Sequence, residues 1–308
     1  MSLYLIFFLV LCVIASYGFL RRFLTRYGLA LAAESARQRR TQAFRHAFDC
    51  LSDLMRLLRL MQQYRGLYAI RYLGVDQHEL LVERAIEIER LFSLLLQQLL
   101  SQDERFLAVV TPNNFKLVRY QWQLAVNPSF TVSAEQSFQQ QTQLIEKIIN
   151  WLRELARKQI EPELPSLAQG QQADQTLLRL RETIKQFAHT LPELAEMVAR
   201  MRGLAMMLAL ARHTDIGKRA QIIHLMQQAE TLLNKQSTLG GQLCTTIAQP
   251  VIHEAEQACH YFLRRLREQL LADQPSLGVE VIYQEGTAAV DALFVWMDQL
   301  KAGLLGRL

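Results

Sequence analysis

The sequence predicts an all-α fold, two up-down four-helix bundles packed together and preceded by one N-terminal transmembrane helix. Three observations carry this. Only 13 Gly and 7 Pro interrupt 308 residues of which 50% are hydrophobic, and Leu, Ala, Gln, Glu and Arg, all good helix formers, dominate the rest. Apolar residues recur at three- and four-residue steps through long stretches, the period of a helix face that packs into a core. Landmarks of the first half return in order in the second, as a duplicated helical unit would leave them.

Residues 3–20, LYLIFFLVLCVIASYGFL, carry no charge, which is the lower limit for a membrane-spanning helix. Tyr4 and Tyr17 sit near its ends as interface anchors. No Lys or Arg precedes the run and no small-x-small site closes it, so a cleaved signal peptide fits less well. Arg21, Arg22 and Arg26 follow at once, and Arg37, Arg39 and Arg40 soon after. The positive-inside bias then predicts a single-pass protein of the inner, cytoplasmic membrane with its soluble part in the cytoplasm. The anchor and its basic flank occupy residues 1–29.

A first bundle is predicted over 30–160. One helix runs to about residue 75, a second over His78 to Leu100, a third from Phe115 to Val126 after the turn Thr111-Pro112-Asn113-Asn114, and a fourth from Ser133 to Ile160. Residues 161–172, EPELPSLAQGQQ, hold two prolines, a glycine and polar residues, the composition of a linker. A second bundle is predicted over 173–308, with helices at 173–212, bent at Pro192, then 216–236, 241–272 and 278–305.

Within the first helix, Leu54, Leu58, Met61, Tyr68 and Tyr72 share one face, and Arg65 falls on it. A guanidinium keeps its proton inside a protein, so its burial demands an anion opposite. Gly66 follows, and glycine inside a helix costs about 1 kcal/mol relative to alanine, which points to close approach of a neighbour. The second half repeats the pair as Arg202-Gly203, 137 residues later. Arg202 lies on the stripe of Leu194, Val198, Ala205 and Ala209. Further on, Arg119 matches Arg264 and Trp151 matches Trp296 at an offset of 145, and Asn127-Pro128-Ser129 echoes Gln274-Pro275-Ser276. Should the two Arg-Gly helices meet, their guanidinium forks would face one small space suited to a planar oxyanion.

Gln62-Gln63-Tyr64-Arg65-Gly66 and Ala199-Arg200-Met201-Arg202-Gly203, each inside a long helix of an eight-helix chain, resemble the nitrate- and nitrite-sensing domain of bacterial signalling proteins. The resemblance covers roughly residues 40–305. It implies a ligand between two four-helix bundles, held by Arg65 and Arg202, with Arg119 and Arg264 as further anion-binding candidates and Gly66 and Gly203 as packing residues of the motif. The family often carries an acidic or second basic residue before Arg-Gly, where this chain has Tyr64 and Met201. Members usually bear an output module; none fits after Leu308, so an output protein is expected as a separate signalling partner.

Other classes are disfavoured. The net charge of +5 is spread through the helices, which argues against nucleic acid. The four cysteines, Cys12, Cys50, Cys244 and Cys259, have no zinc spacing and fit a reducing compartment. His253, Glu256, Cys259 and His260 lack matching ligands on another helix, and a solvated face is expected there instead of a metal site. No nucleophile elbow, phosphate loop or acid–base pair stands out, so neither an enzyme nor a cofactor is predicted. The expected partners are nitrate or nitrite, the membrane, the output protein and a second copy in a homodimer. The rival reading is a membrane-anchored helical scaffold or adaptor without a small ligand, whose amphipathic faces bind partner helices; for Arg65 and Arg202 the alternative to an anion site is a structural salt bridge to an acidic residue of a neighbouring helix, for instance Glu83, Glu87 or Glu230.

Overall fold

The computed structural model describes residues 44–71, 77–100, 109–127, 133–167, 173–211, 215–243 and 249–306, and scattered positions before 44. The predicted anchor lies outside the described residues, and among those described no helix is long and apolar enough to cross a membrane. The chain divides into two units, Met1–His46 and Ala47–Leu308. All that follows concerns the second.

Eight long helices build it, and no strand is present among the described residues. Helix α1 covers residues 44–71, α2 is His78–Leu100, α3 is Pro112–Val126 and α4 is Ala134–Leu155 with a wider, π-type turn at Ala156–Ile160. Helix α5 joins Ala173–Lys185 to Leu191–Leu210 through a second wide turn, Gln186–Thr190. Helix α6 is Ile216–Leu243, α7 is Gln249–Arg265 extended by Leu266–Leu270, and α8 is Val279–Leu305. The helix starts obey local chemistry. Thr111 and Ser133 cap α3 and α4, their hydroxyls accepting from the N–H of Asn114 and Gln136.

Pro192 explains the wide turn before it. A proline there has no N–H to give Ala188, and its ring would crowd that carbonyl. The chain shifts to a longer loop in which the Leu191 N–H reaches the Gln186 carbonyl. The bend expected at Pro192 is therefore a π-type turn ending just ahead of it. The predicted linker is partly structured: Glu161–Glu163 and Leu164–Leu167 are helical, and Leu164 is fully buried.

Two helical stretches are buried on nearly every side, α1 and the Leu191–Leu210 arm of α5. Along α1, Leu51, Leu54, Leu57, Leu58, Leu60, Met61, Tyr64 and Leu67 are all buried. An apolar surface running right round a helix marks it as central. The Leu191–Leu210 arm packs against α6 and α8, and α3 against both α2 and α4. Tyr64 meets Trp122 edge-on at 5.2 Å, and Phe48 stacks on Phe187 at 5.8 Å, tying α1 to α3 and to the wide turn of α5. Both Arg-Gly pairs thus lie on the central helices.

Candidate functional site: two buried arginines and one carboxylate

A side chain as long as arginine reaches solvent unless packing closes over it, and here packing closes over two. Arg65 is 1% exposed and Arg202 2%. Each lies in the first helix of its half and meets the fourth helix of the same half. Arg65 Nη1 donates to Thr142 Oγ1 on α4 at 2.8 Å, and its guanidinium lies over the Phe138 ring at 4.9 Å. Arg202 Nη1 donates to Thr287 Oγ1 on α8 at 2.7 Å, and its guanidinium lies over the Tyr283 ring at 5.5 Å. Phe138 and Tyr283 are 145 positions apart, as are Thr142 and Thr287. The offset that relates Trp151 to Trp296 therefore relates the aromatic lid and hydroxyl acceptor of the two arginines. Such faces and acceptors lessen the cost of a buried guanidinium without cancelling its charge.

The two centres touch. The Gln62 carbonyl on α1 accepts from Arg202 Nη2 at 3.0 Å. A Cβ added at Gly66 would lie 2.4 Å from that same nitrogen, and one at Gly286 would lie 2.8 Å from Arg202 Cγ. At Gly203 it would lie 2.3 Å from Phe138 Cε2, the ring over Arg65. The glycine after each arginine thus admits a side chain from the opposite half.

Among the described residues, only one of the two guanidiniums has a carboxylate in contact. Glu196, 4% exposed, comes from the same arm as Arg202. Its carboxylate accepts both forks of Arg65, from Nη1 at 2.7 Å and Nη2 at 3.0 Å, and also accepts from Gln62 Nε2 at 3.0 Å. This is the bidentate, charge-assisted geometry that a planar carboxylate and a guanidinium favour. Arg202 has no carboxylate in contact among the described residues, and its Nε, like that of Arg65, has no hydrogen-bond partner. Burial pushes Arg202 down to about 10 and the neighbouring Arg65 charge adds to this, while Tyr283, Asp291 and Glu196 act in the opposite direction. That still leaves it charged at neutral pH.

The other predicted site residues lie elsewhere. Arg119 on α3 is bound to Glu89 on α2 through Nε at 2.9 Å, a pair partly open to solvent. Arg264 on α7 is exposed, over the Tyr261 ring at 5.6 Å, beside an open cleft also lined by His260, Arg267 and Glu268. Both side chains satisfy themselves at the surface of their own half, so neither joins the centre. Of the acids expected as structural partners, Glu87 takes Arg84 and Arg56 and Glu230 takes Arg267, and the salt bridge to a neighbouring helix that was the alternative for Arg65 is made by Glu196 instead. Glu196 was missed, although it stands one heptad before Gly203 and so on the face of close approach. Carrying the 145 offset through all of α4 would have found Phe138, Thr142, Tyr283 and Thr287.

Among the described residues, no group of three or more His, Cys, Asp or Glu is placed to hold a metal ion. Cys259, from the histidine-bearing face of α7, is buried with its thiol pushed up to about 12. No protein-family model, no curated protein and no solved structure matches the chain, and what the centre can do follows from the chemistry of its own residues.

Proposed function

We propose that the arginine centre is a receptor for a small planar oxyanion, nitrate or nitrite, and that the chain is a membrane-anchored sensor that passes occupancy to a separate signalling protein. The observation that carries the reading is that the buried Arg202 guanidinium has no carboxylate in contact among the described residues and keeps an unpartnered Nε. An unpaired buried ion costs several kcal/mol, and a protein keeps such a charge where a ligand completes it. A planar oxyanion suits a guanidinium edge, and a small one suits a centre closed by Phe138, Tyr283 and three glycines.

The route from binding to signal runs through the contact of α1 with α5. Anion binding changes the balance between two like charges on the central helices of the two halves and favours one relative setting of those helices. A useful switch needs a difference of about 1–3 kcal/mol in anion affinity between the two settings.

Calorimetric titration of the full-length chain in detergent micelles, with nitrate, nitrite, chloride and sulfate, tests the reading. Saturable binding of nitrate or nitrite is expected, abolished by Arg202→Ala and weakened by Arg65→Ala. No heat and no thermal stabilisation from any of these anions, in folded protein, would leave the helical scaffold as the better account.

A further inference from the structure

Counting charge in the buried centre gives more than a receptor for anions in general. Arg65 and Arg202 each contribute one positive charge and Glu196 one negative charge, so the desolvated cluster carries a net +1. Asp291, the next acid in reach, is bonded to Arg59 at 3.0 Å and half-exposed, so it belongs to the solvated rim. The roles of the arginines are also unequal. Both Nη atoms of Arg65 are committed to Glu196 and Thr142. Arg202 spends its two on the neutral oxygens of Thr287 and Gln62, and keeps a buried, unpartnered Nε.

Building on the oxyanion reading, we propose that Glu196 sets the valence of the ligand: it holds the centre at a single positive charge, so that Arg202 anchors a monovalent oxyanion and divalent ones are refused. A monoanion brings the cluster to neutrality. A dianion such as sulfate would leave a net negative charge among buried side chains, where Coulomb terms are largest and an excess charge is penalised most. Shape alone would discriminate less, since sulfate can also present an edge of two oxygens to a guanidinium.

The test is titration of the full-length chain with nitrate and with sulfate, in wild type and in Glu196→Gln. The variant raises the centre to +2 while keeping an amide oxygen for Arg65. Wild type is expected to bind nitrate and not sulfate, and Glu196→Gln to gain saturable sulfate binding, shifting the sulfate-to-nitrate affinity ratio by about tenfold or more. An unchanged ratio, or an equal rise for both anions, overturns the proposal while leaving the oxyanion reading intact; absence of any nitrate binding in wild type removes both. Because Glu196→Gln could fail to fold, a second variant keeps Glu196: Thr142→Asp adds a carboxylate beside Arg65, away from Arg202, and takes the centre to zero. Nitrate affinity is then expected to fall about tenfold or more, and unchanged affinity would overturn the proposal.

Discussion

Gly286 faces Arg202 where that side chain is least able to yield, at Cβ and Cγ, 2.9 and 2.8 Å from where a methyl would stand. Gly66 faces the far end, Nη2. Two substitutions to alanine should therefore separate. Gly286→Ala forces α8 away from α5 and is expected to cost about 1–3 kcal/mol of stability, as overpacking does, read by denaturant melts. Gly66→Ala displaces only the guanidinium and should cost less stability but remove anion binding. Protonation adds a second expectation at this scale. The charged form of Arg202 binds the anion, so affinity should be flat through the neutral range and lost as pH rises through about 10, the value to which burial lowers this group; titrations at several pH values read the midpoint directly. Arg65, Gly66, Arg202 and Gly203 were all legible in the sequence because a charge and a glycine on an apolar helix face are both anomalies. Glu196 was not, since acids are common on helices and its direction depends on which face of α5 meets α1.

Helices with a clean period were legible to within a few residues: α2, α3 and α8 begin close to where the turn residues say they should, α3 with a capping side chain, Thr111. The end of α4 was less so. The proline-bearing segment after Ile160 reads as linker by composition, yet burial of Leu164 holds its first residues in helical turns. Tertiary burial there outweighs a local break. The cap of α4 gives a prediction at this scale. Ser133 Oγ accepts from the Gln136 N–H at 3.1 Å at an exposed position. Ser133→Ala should therefore cost about 1 kcal/mol in chemical denaturation and leave anion binding unchanged, because the loss is confined to the first turn, away from Phe138 and Thr142.

For the whole molecule, the repeat was legible as a list of landmarks and the structure gives it a physical meaning. Each half supplies an arginine, an aromatic lid and a hydroxyl, and each half's glycine makes room for the other. Ala47–Leu308 is one compact unit, and its buried ion pair joins Arg65 of the first four helices to Glu196 of the second. Breaking such a pair costs about 3–5 kcal/mol. Two polypeptides cut between residues 167 and 173 are accordingly expected to be unstable when expressed separately and to associate when expressed together, as size-exclusion chromatography and circular dichroism would register. Two independently folded fragments would mean that the halves are self-sufficient bundles.

The single carboxylate has a consequence for parity. Position 196 in the second half corresponds, at the offset of the arginine pairs, to Arg59 in the first, and Arg59 turns outward to Asp291. Two identical halves would place either no glutamate or two against the paired arginines, giving a centre of +2 or of zero. An odd charge is out of reach for any such symmetric assembly. Joining the halves in one chain lets a single site differ between them, and the difference seen here is the one that leaves room for one negative charge.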